Sequence, residues 1–571
     1  RCFAKIVCHP LSSSIVYAAI TRAGGFPEMA AAKGHPQAAG PVGVFRSDDG
    51  GVTWAQLTNG LPALAATDLA VDPSSPSILY AAIGHIFGSS QNGIYKTTDG
   101  GVSWVKLAGG LPASGLGRIN LAVAPTQPTR VYALLVNDAD PSGGGASTRG
   151  AFRSDDAGAT WTNLNIGDFQ STYGWYLSVV SVKPDDANTV FMGGFALMRS
   201  KNSGATWSDR TPSHVDLHAL AWDAGGRLLA GDDGGVQRSG NLGDSWTARN
   251  TGLGVMQFYA GLSTHPGDEL IVFGGNQDNG TNRRTTNTRQ WTQVLGGDGG
   301  FTALDQHSPQ RVFGEYQGSG NLYLATDGGS SFNWAGNGID PGDRTCFVPP
   351  YVIDPINSSH MLYATHRIYR STNGASSWTV LSGDLTAGSG AVRALAIAPA
   401  DPTTVYAATN DGRVLVSRNS GSTFQLIASG VPGWPRVTRE LCIDPYDAGT
   451  LYLGVAYFGT DQVRRATNYG AAWQALDGNL PDVPVNVVAA DSRVAPAILY
   501  AGTDQGVYRS DDDGRTWARY GAGLPRAAVI DLVLELDRNR LIAGTQGRGA
   551  WSVEHAPCMP AAGHAVPIKG D

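Results

Sequence analysis

Charge is scarce in this chain. Only 16% of its 571 residues are Asp, Glu, Lys or Arg, the net charge is −7, and no long block of either sign occurs. That excludes a basic nucleic-acid surface and an acidic solvating tail. No apolar run reaches 18 residues, so no membrane-spanning helix is expected. Cysteine is rare and dispersed, at Cys2, Cys8, Cys346, Cys442 and Cys558, with no Cys-x-x-Cys pair. A thiolate zinc site is thereby excluded. An odd number leaves at least one thiol unpaired, and one staple, Cys8 to Cys558, is expected near the chain ends. Other signatures are missing too: no Gly-x-Ser-x-Gly elbow, no His-Glu-x-x-His, no P-loop and no dinucleotide fingerprint. No cofactor is therefore required. The chain opens Arg1-Cys2 with neither initiator methionine nor leader, which reads as a processed or trimmed form of a secreted, extracellular protein.

Glycine, in contrast, is abundant, at 76 of 571 residues, nearly twice ordinary usage. Much of it belongs to one recurring phrase. Arg46–Trp54 reads RSDDGGVTW, Lys96–Trp104 reads KTTDGGVSW, Arg153–Trp161 reads RSDDAGATW and Arg509–Trp517 reads RSDDDGRTW. Weaker copies end at Trp207, Trp246, Phe332, Trp378, Phe424 and Trp473, and a degenerate one at Trp291. Successive copies are spaced like the blades of a propeller. Within each period, four short runs rich in β-formers are joined by Gly, Pro and Asp turns, the grammar of a four-stranded antiparallel sheet. Such a sheet buries both faces only by stacking on neighbours. The expected fold is all-β, an Asp-box β-propeller of about twelve four-stranded blade units. Two tandem rings are expected, over residues 1–300 and 301–571, with the C-terminal strands closing on the N-terminus; one large ring is the alternative.

The phrase resembles the Asp-box, or bacterial neuraminidase repeat, here Ser47, Asp49, Gly51, Thr53 and Trp54. Its physical role is structural: Asp caps its own turn, Gly takes a positive φ, and Trp packs between blades. The whole repeat pattern is similar to the xyloglucan-degrading glycoside hydrolases of family 74, which implies two propellers and a catalytic carboxyl pair. One implied catalytic position falls in Thr21-Arg22-Ala23-Gly24-Gly25, where this chain has Arg. The other falls in Gly297-Asp298-Gly299-Gly300-Phe301, one residue shorter than the family phrase. Residues 232–385 also resemble sortilin-like propellers, which implies a fold and no activity; the competing reading is a non-catalytic protein that binds a peptide or partner protein in the ring channel, as sortilin-like receptors do.

Topology selects one face for chemistry. Loops from strand two to three, and from strand four to the next blade, share a face opposite the Asp-boxes. Most of these loops are bland. The exceptions carry Asp232-Asp233, then Gln277-Asp278-Asn279, Asp298, Glu315 with Gln317, Arg344, and His366-Arg367. Carboxylates on Gly-rich turns suit acid/base work on a glycosidic bond, calcium binding, or plain turn stabilisation. Asp298 with Asp278 or Glu315 is the expected catalytic pair. Gln277, Asn279, Gln317, Arg344, His366 and Arg367 are candidate substrate contacts, and Asp232 with Asp233 is a candidate calcium site. Tyr173 and Trp175 are candidate stacking platforms for sugar rings, Trp175 foremost. A polysaccharide or glycan is the expected partner, and a peptide or protein the alternative.

Overall fold

A computed structural model describes residues 2–21, 40–140, 144–432, 440–555 and 566–567. It contains twelve four-stranded antiparallel sheets, each built from consecutive strands in sequence order. The sheets cover residues 2–57, 66–106, 119–163, 179–209, 217–248, 263–295, 302–334, 351–380, 392–428, 441–475, 485–520 and 529–567. The only helical element among the described residues is a single 3-10 turn, Leu536–Arg538. No helix there is long and apolar enough to cross a membrane.

The position of a strand within its sheet follows from its composition. Second strands such as Leu79–Ile83 and Val131–Val136 are apolar throughout and fully buried, whereas fourth strands such as Val105–Lys106 and Thr162–Asn163 are exposed. The second strand is therefore central, and the fourth forms the polar edge, as edge strands must.

The Asp-boxes work as turn locks. Asp49 Oδ1 accepts from the Thr53 amide at 2.8 Å, and the Gly51 amide donates to Ser47 Oγ at 2.8 Å with Gly51 at φ +97°. Hydrogen bonds from the Thr53 hydroxyl and amide, and from Ser47, hold the Asp49 carboxyl at about 2. Asp99, Asp156 and Asp512 repeat this arrangement, and Asn202, Asn241, Asn373 and Asn419 reproduce it without charge. Five box tryptophans, Trp207, Trp246, Trp378, Trp473 and Trp517, donate Nε1–H to a carbonyl next to the preceding sheet, whereas Trp54, Trp104 and Trp161 donate to their own box glycine.

The chain divides into two compact units, one ending at Asn250 and the other running from Thr251. This corrects the boundary expected at 300/301. The irregular stretch that suggested it, residues 296–345, is the seventh sheet and its long loops. The first unit holds five sheets, joined in series by apolar cores.

The second unit holds seven sheets and is cyclic. Cores join the sixth sheet through to the twelfth, and the twelfth returns to the sixth through Phe258, Leu262, Ile530, Ile542 and Ala550. Asp531 fastens this closure by accepting from the Gly261 and Leu262 amides, and the Phe258 amide donates to the Thr545 carbonyl at 3.1 Å. The closure expected at the N-terminus is thus made with the sixth sheet instead.

The junction of the eleventh and twelfth sheets is made by side chains. A tyrosine of the second strand commonly donates to a turn carbonyl of the next sheet, as Tyr17, Tyr80, Tyr132 and Tyr406 do. The twelfth sheet has no Asp-box. There the fully buried His555 places Nδ1 2.5 Å from the Tyr500 hydroxyl, and its Nε2 donates to Asp491 Oδ2 at 2.6 Å. Cys8 is an exposed free thiol, so the expected Cys8–Cys558 staple is not seen at its first residue, and Cys558 lies outside the described residues.

Candidate functional site

In the second unit, the loops after Gly275 and Gly297 interlock. A Cβ on Gly275 would sit 2.1 Å from the Gly300 carbonyl oxygen, and one on Gly299 would sit 2.5 Å from the Asn276 nitrogen. Gly297 and Gly299 have φ +76° and +65°. Only glycine permits both the backbone conformation and the approach. Asp278 itself is left-handed at φ +60°, a conformation that costs a residue with a side chain about 1–2 kcal/mol. The box turns hold Ala157, Ser203 and Asp513 in the same conformation, so it marks a tight turn.

The interlock brings together several of the expected residues. The Asp298 amide donates to Gln317 Oε1 at 3.3 Å. Gln277 Oε1 accepts from the Gln257 side chain, and Asn279 Nδ2 donates to the Gln277 carbonyl at 2.9 Å. The Asp278 and Asp298 residues are half-buried and reachable from solvent.

Glu315 is not reachable: it is 0% exposed. Its Oε1 accepts the Phe301 amide at 3.2 Å, and its Oε2 is buried without a partner. Burial pushes its carboxyl well above the usual range, and the single amide offsets only part of that. Glu315 therefore braces the Asp298 loop from beneath and cannot meet a polymer. Glu315 ends a central second strand that is buried on both faces, with Phe313 packed in one core and Val312 in the next.

Arg344, His366 and Arg367 are committed elsewhere. Arg344 pairs with Asp384 at 2.6 Å. Arg367 makes two hydrogen bonds to Asp343, at 2.9 and 2.8 Å, and lies over the Tyr369 ring. Burial raises the Asp343 carboxyl, but hydrogen bonds from Arg367, Tyr369 and Thr365 outweigh it and hold the group below the usual range. His366 Nδ1 is buried 3.9 Å from Asp343. Asp343, Arg367 and His366 build the wall of the eighth sheet, whereas Arg344 stays exposed at the surface beside Asp384.

Aromatic rings flank the interlocked loops, and sequence reasoning passed them over. Phe347 is 54% exposed and lies 6.2 Å from Tyr259 between ring centroids. The Phe347 carbonyl accepts the Gly318 amide at 3.0 Å, which ties it to the Gln317 loop. Tyr316 packs where a Gly297 side chain would be, and its hydroxyl meets that of Tyr323 at 2.6 Å. Phe258 is buried, whereas Tyr259 beside it is partly exposed.

In the first unit, Asp232 and Asp233 diverge. Asp232 Oδ1 accepts the Gly234 amide at 3.0 Å, its Oδ2 is buried without a partner, and burial raises its carboxyl to about 6. Asp233 pairs with His218 at 2.7 Å. Two carboxyls facing different partners do not make a calcium shell, and no group of three or more His, Cys, Asp or Glu converges on a metal position among the described residues. Trp175 is half-buried against Val136, Ala139 and Ala146, so it serves the core. Tyr173 is exposed as expected. The Arg22 stretch lies outside the described residues.

The fold and these loops define a multi-bladed propeller with acidic, aromatic-flanked loops on the face away from its turn locks. Solved structures share that architecture. The GH74 xyloglucanase from Xanthomonas campestris is 18% identical, with a TM-score of 0.59, covering 96% of this chain and 82% of that one. The GH74 enzyme of Niastella koreensis is also 18% identical, with a TM-score of 0.57, covering 97% and 82%. At that identity the likeness is one of fold.

Among curated proteins, the chain is 29% identical over 168 residues to a probable oligoxyloglucan-reducing end-specific xyloglucanase of Neosartorya fischeri, covering 27% of this chain and 20% of that protein. It is 29% identical over 161 residues to the oligoxyloglucan-reducing end-specific xyloglucanase of Emericella nidulans, covering 26% and 19%. The matches thus span about a fifth of the length of these curated relatives. No family model matches the chain.

Proposed function

We propose that this protein is a glycan-active propeller outside the cell, a glycoside hydrolase acting on xyloglucan-type polysaccharide or its oligosaccharides. The carrying observation is the glycine interlock of the second unit. It supports the reading because it joins the loops that carry two solvent-reachable carboxyls, Asp278 and Asp298, and the Gln317–Gly318 segment links Asp298 to the exposed Phe347. The local similarity to xyloglucanases points the same way.

In this reading one carboxyl gives its proton to the glycosidic oxygen as the bond to the anomeric carbon breaks. The other takes a proton from the incoming water or attacks the anomeric carbon itself. Phe347 and Tyr259 stack on sugar faces, and Gln277 and Gln317 hydrogen-bond hydroxyls. Glu315 holds the Asp298 loop through the Phe301 amide.

The test is release of reducing ends from tamarind xyloglucan by the wild type and by Asp298→Asn and Asp278→Asn. Wild-type release that falls by roughly a hundredfold or more in either variant supports the pair, in keeping with the size of acid/base contributions. Full release by both variants removes them from the chemistry.

A further inference from the structure

We propose that the first unit carries a glycan-binding platform of its own, formed by Tyr173, Tyr176 and Phe195 with the His218–Asp233 pair as its polar anchor. The loops concerned all lie on the face away from the Asp-boxes, in the sector of the fourth and fifth sheets. Tyr173 and Tyr176 come from the connection into the fourth sheet and Phe195 from its second-to-third-strand loop. Asp233 comes from the equivalent loop of the fifth sheet, and His218 from that sheet's first strand.

Three large rings stand in water here: Tyr173 is 49% exposed, Tyr176 48% and Phe195 39%. They are arranged, not scattered. Tyr173 and Phe195 lie nearly parallel, 17° apart, with centroids 6.5 Å apart. Tyr176 meets the His218 ring edge-on, at 5.0 Å and 76°. His218 is oriented by Asp233 through a 2.7 Å contact.

The platform is held rigid from below. The Arg118 guanidinium donates to the carbonyls of Tyr176 and Ser178. A Cβ on Gly174 would lie 2.4 Å from the Ala146 carbonyl oxygen, and one on Gly194 would lie 1.7 Å from Oε1 of the wholly buried Gln170. Both glycines that bracket the rings are therefore clamped against the unit. A rigid aromatic surface leaves little to order on binding.

The surroundings select the ligand. Beside the tyrosines the exposed chain neighbours are Ser171 and Thr172, beside His218 the one exposed aliphatic neighbour is the small Ala219, and the anchor is an imidazole–carboxylate pair. Flat rings bordered by hydroxyl, imidazole and carboxylate groups suit a pyranose, whose C–H face stacks while its hydroxyls hydrogen-bond. A protein interface would add aliphatic area to the aromatic core. The ligand class is a neutral polysaccharide. This platform does not depend on the hydrolytic reading of the second unit.

The experiment is native affinity electrophoresis of the full-length protein in gels containing soluble neutral glucans (xyloglucan or hydroxyethyl cellulose), with polygalacturonate as the acidic comparison. The expected result is retardation by a neutral glucan. Tyr176→Ala, Phe195→Ala and Asp233→Asn should each weaken it roughly three- to tenfold, the scale of one ring contact or hydrogen bond. Tyr176→Phe, which keeps the ring, should restore it, and unfolding temperatures within a degree or two of wild type would show the variants intact. Asp298→Asn should still be retarded whatever happens to turnover, which separates this proposal from the hydrolase reading. Wild-type retardation that survives all three weakening variants, or no retardation by any neutral glucan, overturns it.

Discussion

Replacing Gly299 by alanine tests whether the interlock of the second unit governs Asp298. At φ +65°, an alanine there costs about 1–2 kcal/mol. Its Cβ would also lie 2.5 Å from the Asn276 nitrogen, 2.7 Å from the Gly280 carbonyl oxygen and 2.9 Å from the Asn276 oxygen. All three are backbone atoms and cannot rotate away, so overpacking adds about 1–3 kcal/mol. The sum, about 2–5 kcal/mol, lowers the unfolding temperature by several degrees or more in a ring of this size. Whatever strain is not lost to unfolding is relieved by moving the loop. A shift approaching 1 Å at Asp298 lowers kcat on the order of a hundredfold. Gly296 is the internal control, because a Cβ there meets nothing within 4 Å. Gly296→Ala should leave both quantities within experimental scatter. Differential scanning calorimetry and reducing-end release on the same preparations supply both readouts. Wild-type melting and turnover in Gly299→Ala, or equal damage from Gly296→Ala, would refute the reasoning.

The remaining predictions concern the first unit and the turn locks. Asp232 has its carboxyl raised to about 6 by burial. The stability it contributes is therefore present in full below about pH 4 and lost as pH rises through about 6. Asp232→Asn should be more stable than wild type above pH 6, on the order of 1–2 kcal/mol, with the gap vanishing near pH 4. Urea unfolding at pH 4 and pH 7.5 measures this, and a pH-independent gap contradicts it. Trp378 is 3% exposed and donates to the Ala335 carbonyl at 2.8 Å, whereas Trp54 is 37% exposed. Trp378→Ala should cost about 3–5 kcal/mol and Trp54→Ala less than half as much; equal losses in thermal unfolding would show that bridging between sheets does not set the tryptophan's worth.

The repeat architecture was legible because each sheet announces itself locally. Ser47, Asp49, Gly51 and Trp54 contact one another within eight residues, so the phrase carries its own geometry. The acidic loops were legible for the same reason, since Gln277 to Gly280 and Gly296 to Phe301 depart visibly from the surrounding blades. The division at Asn250 was not. It depends on Phe258 and Leu262 meeting Ile530 and Ile542, some 270 residues away, and no local pattern marks which sheet a terminal sheet will find. Among the candidate side chains, Glu315 was misread as a loop residue; it is the last residue of a second strand that is buried on both faces. Tyr173, Trp175 and Tyr176 look alike on paper, and only packing against Val136 and Ala139 sends Trp175 inward.

The His555 junction has a consequence for how this ring could change over time. Where a tyrosine donates to a main-chain carbonyl, as Tyr406 does to Ala448, the acceptor survives almost any substitution. Such a junction can be copied: a duplicate of the ninth sheet brings its own tyrosine, and any turn carbonyl of the next sheet can accept from it. The junction of the eleventh and twelfth sheets rests on side chains, His555 with Asp491 and Tyr500. A copy of the twelfth sheet placed mid-ring would present no box turn to its neighbour. The last sheet can therefore be replaced only together with its partners, because His555, Asp491 and Tyr500 must change as a set.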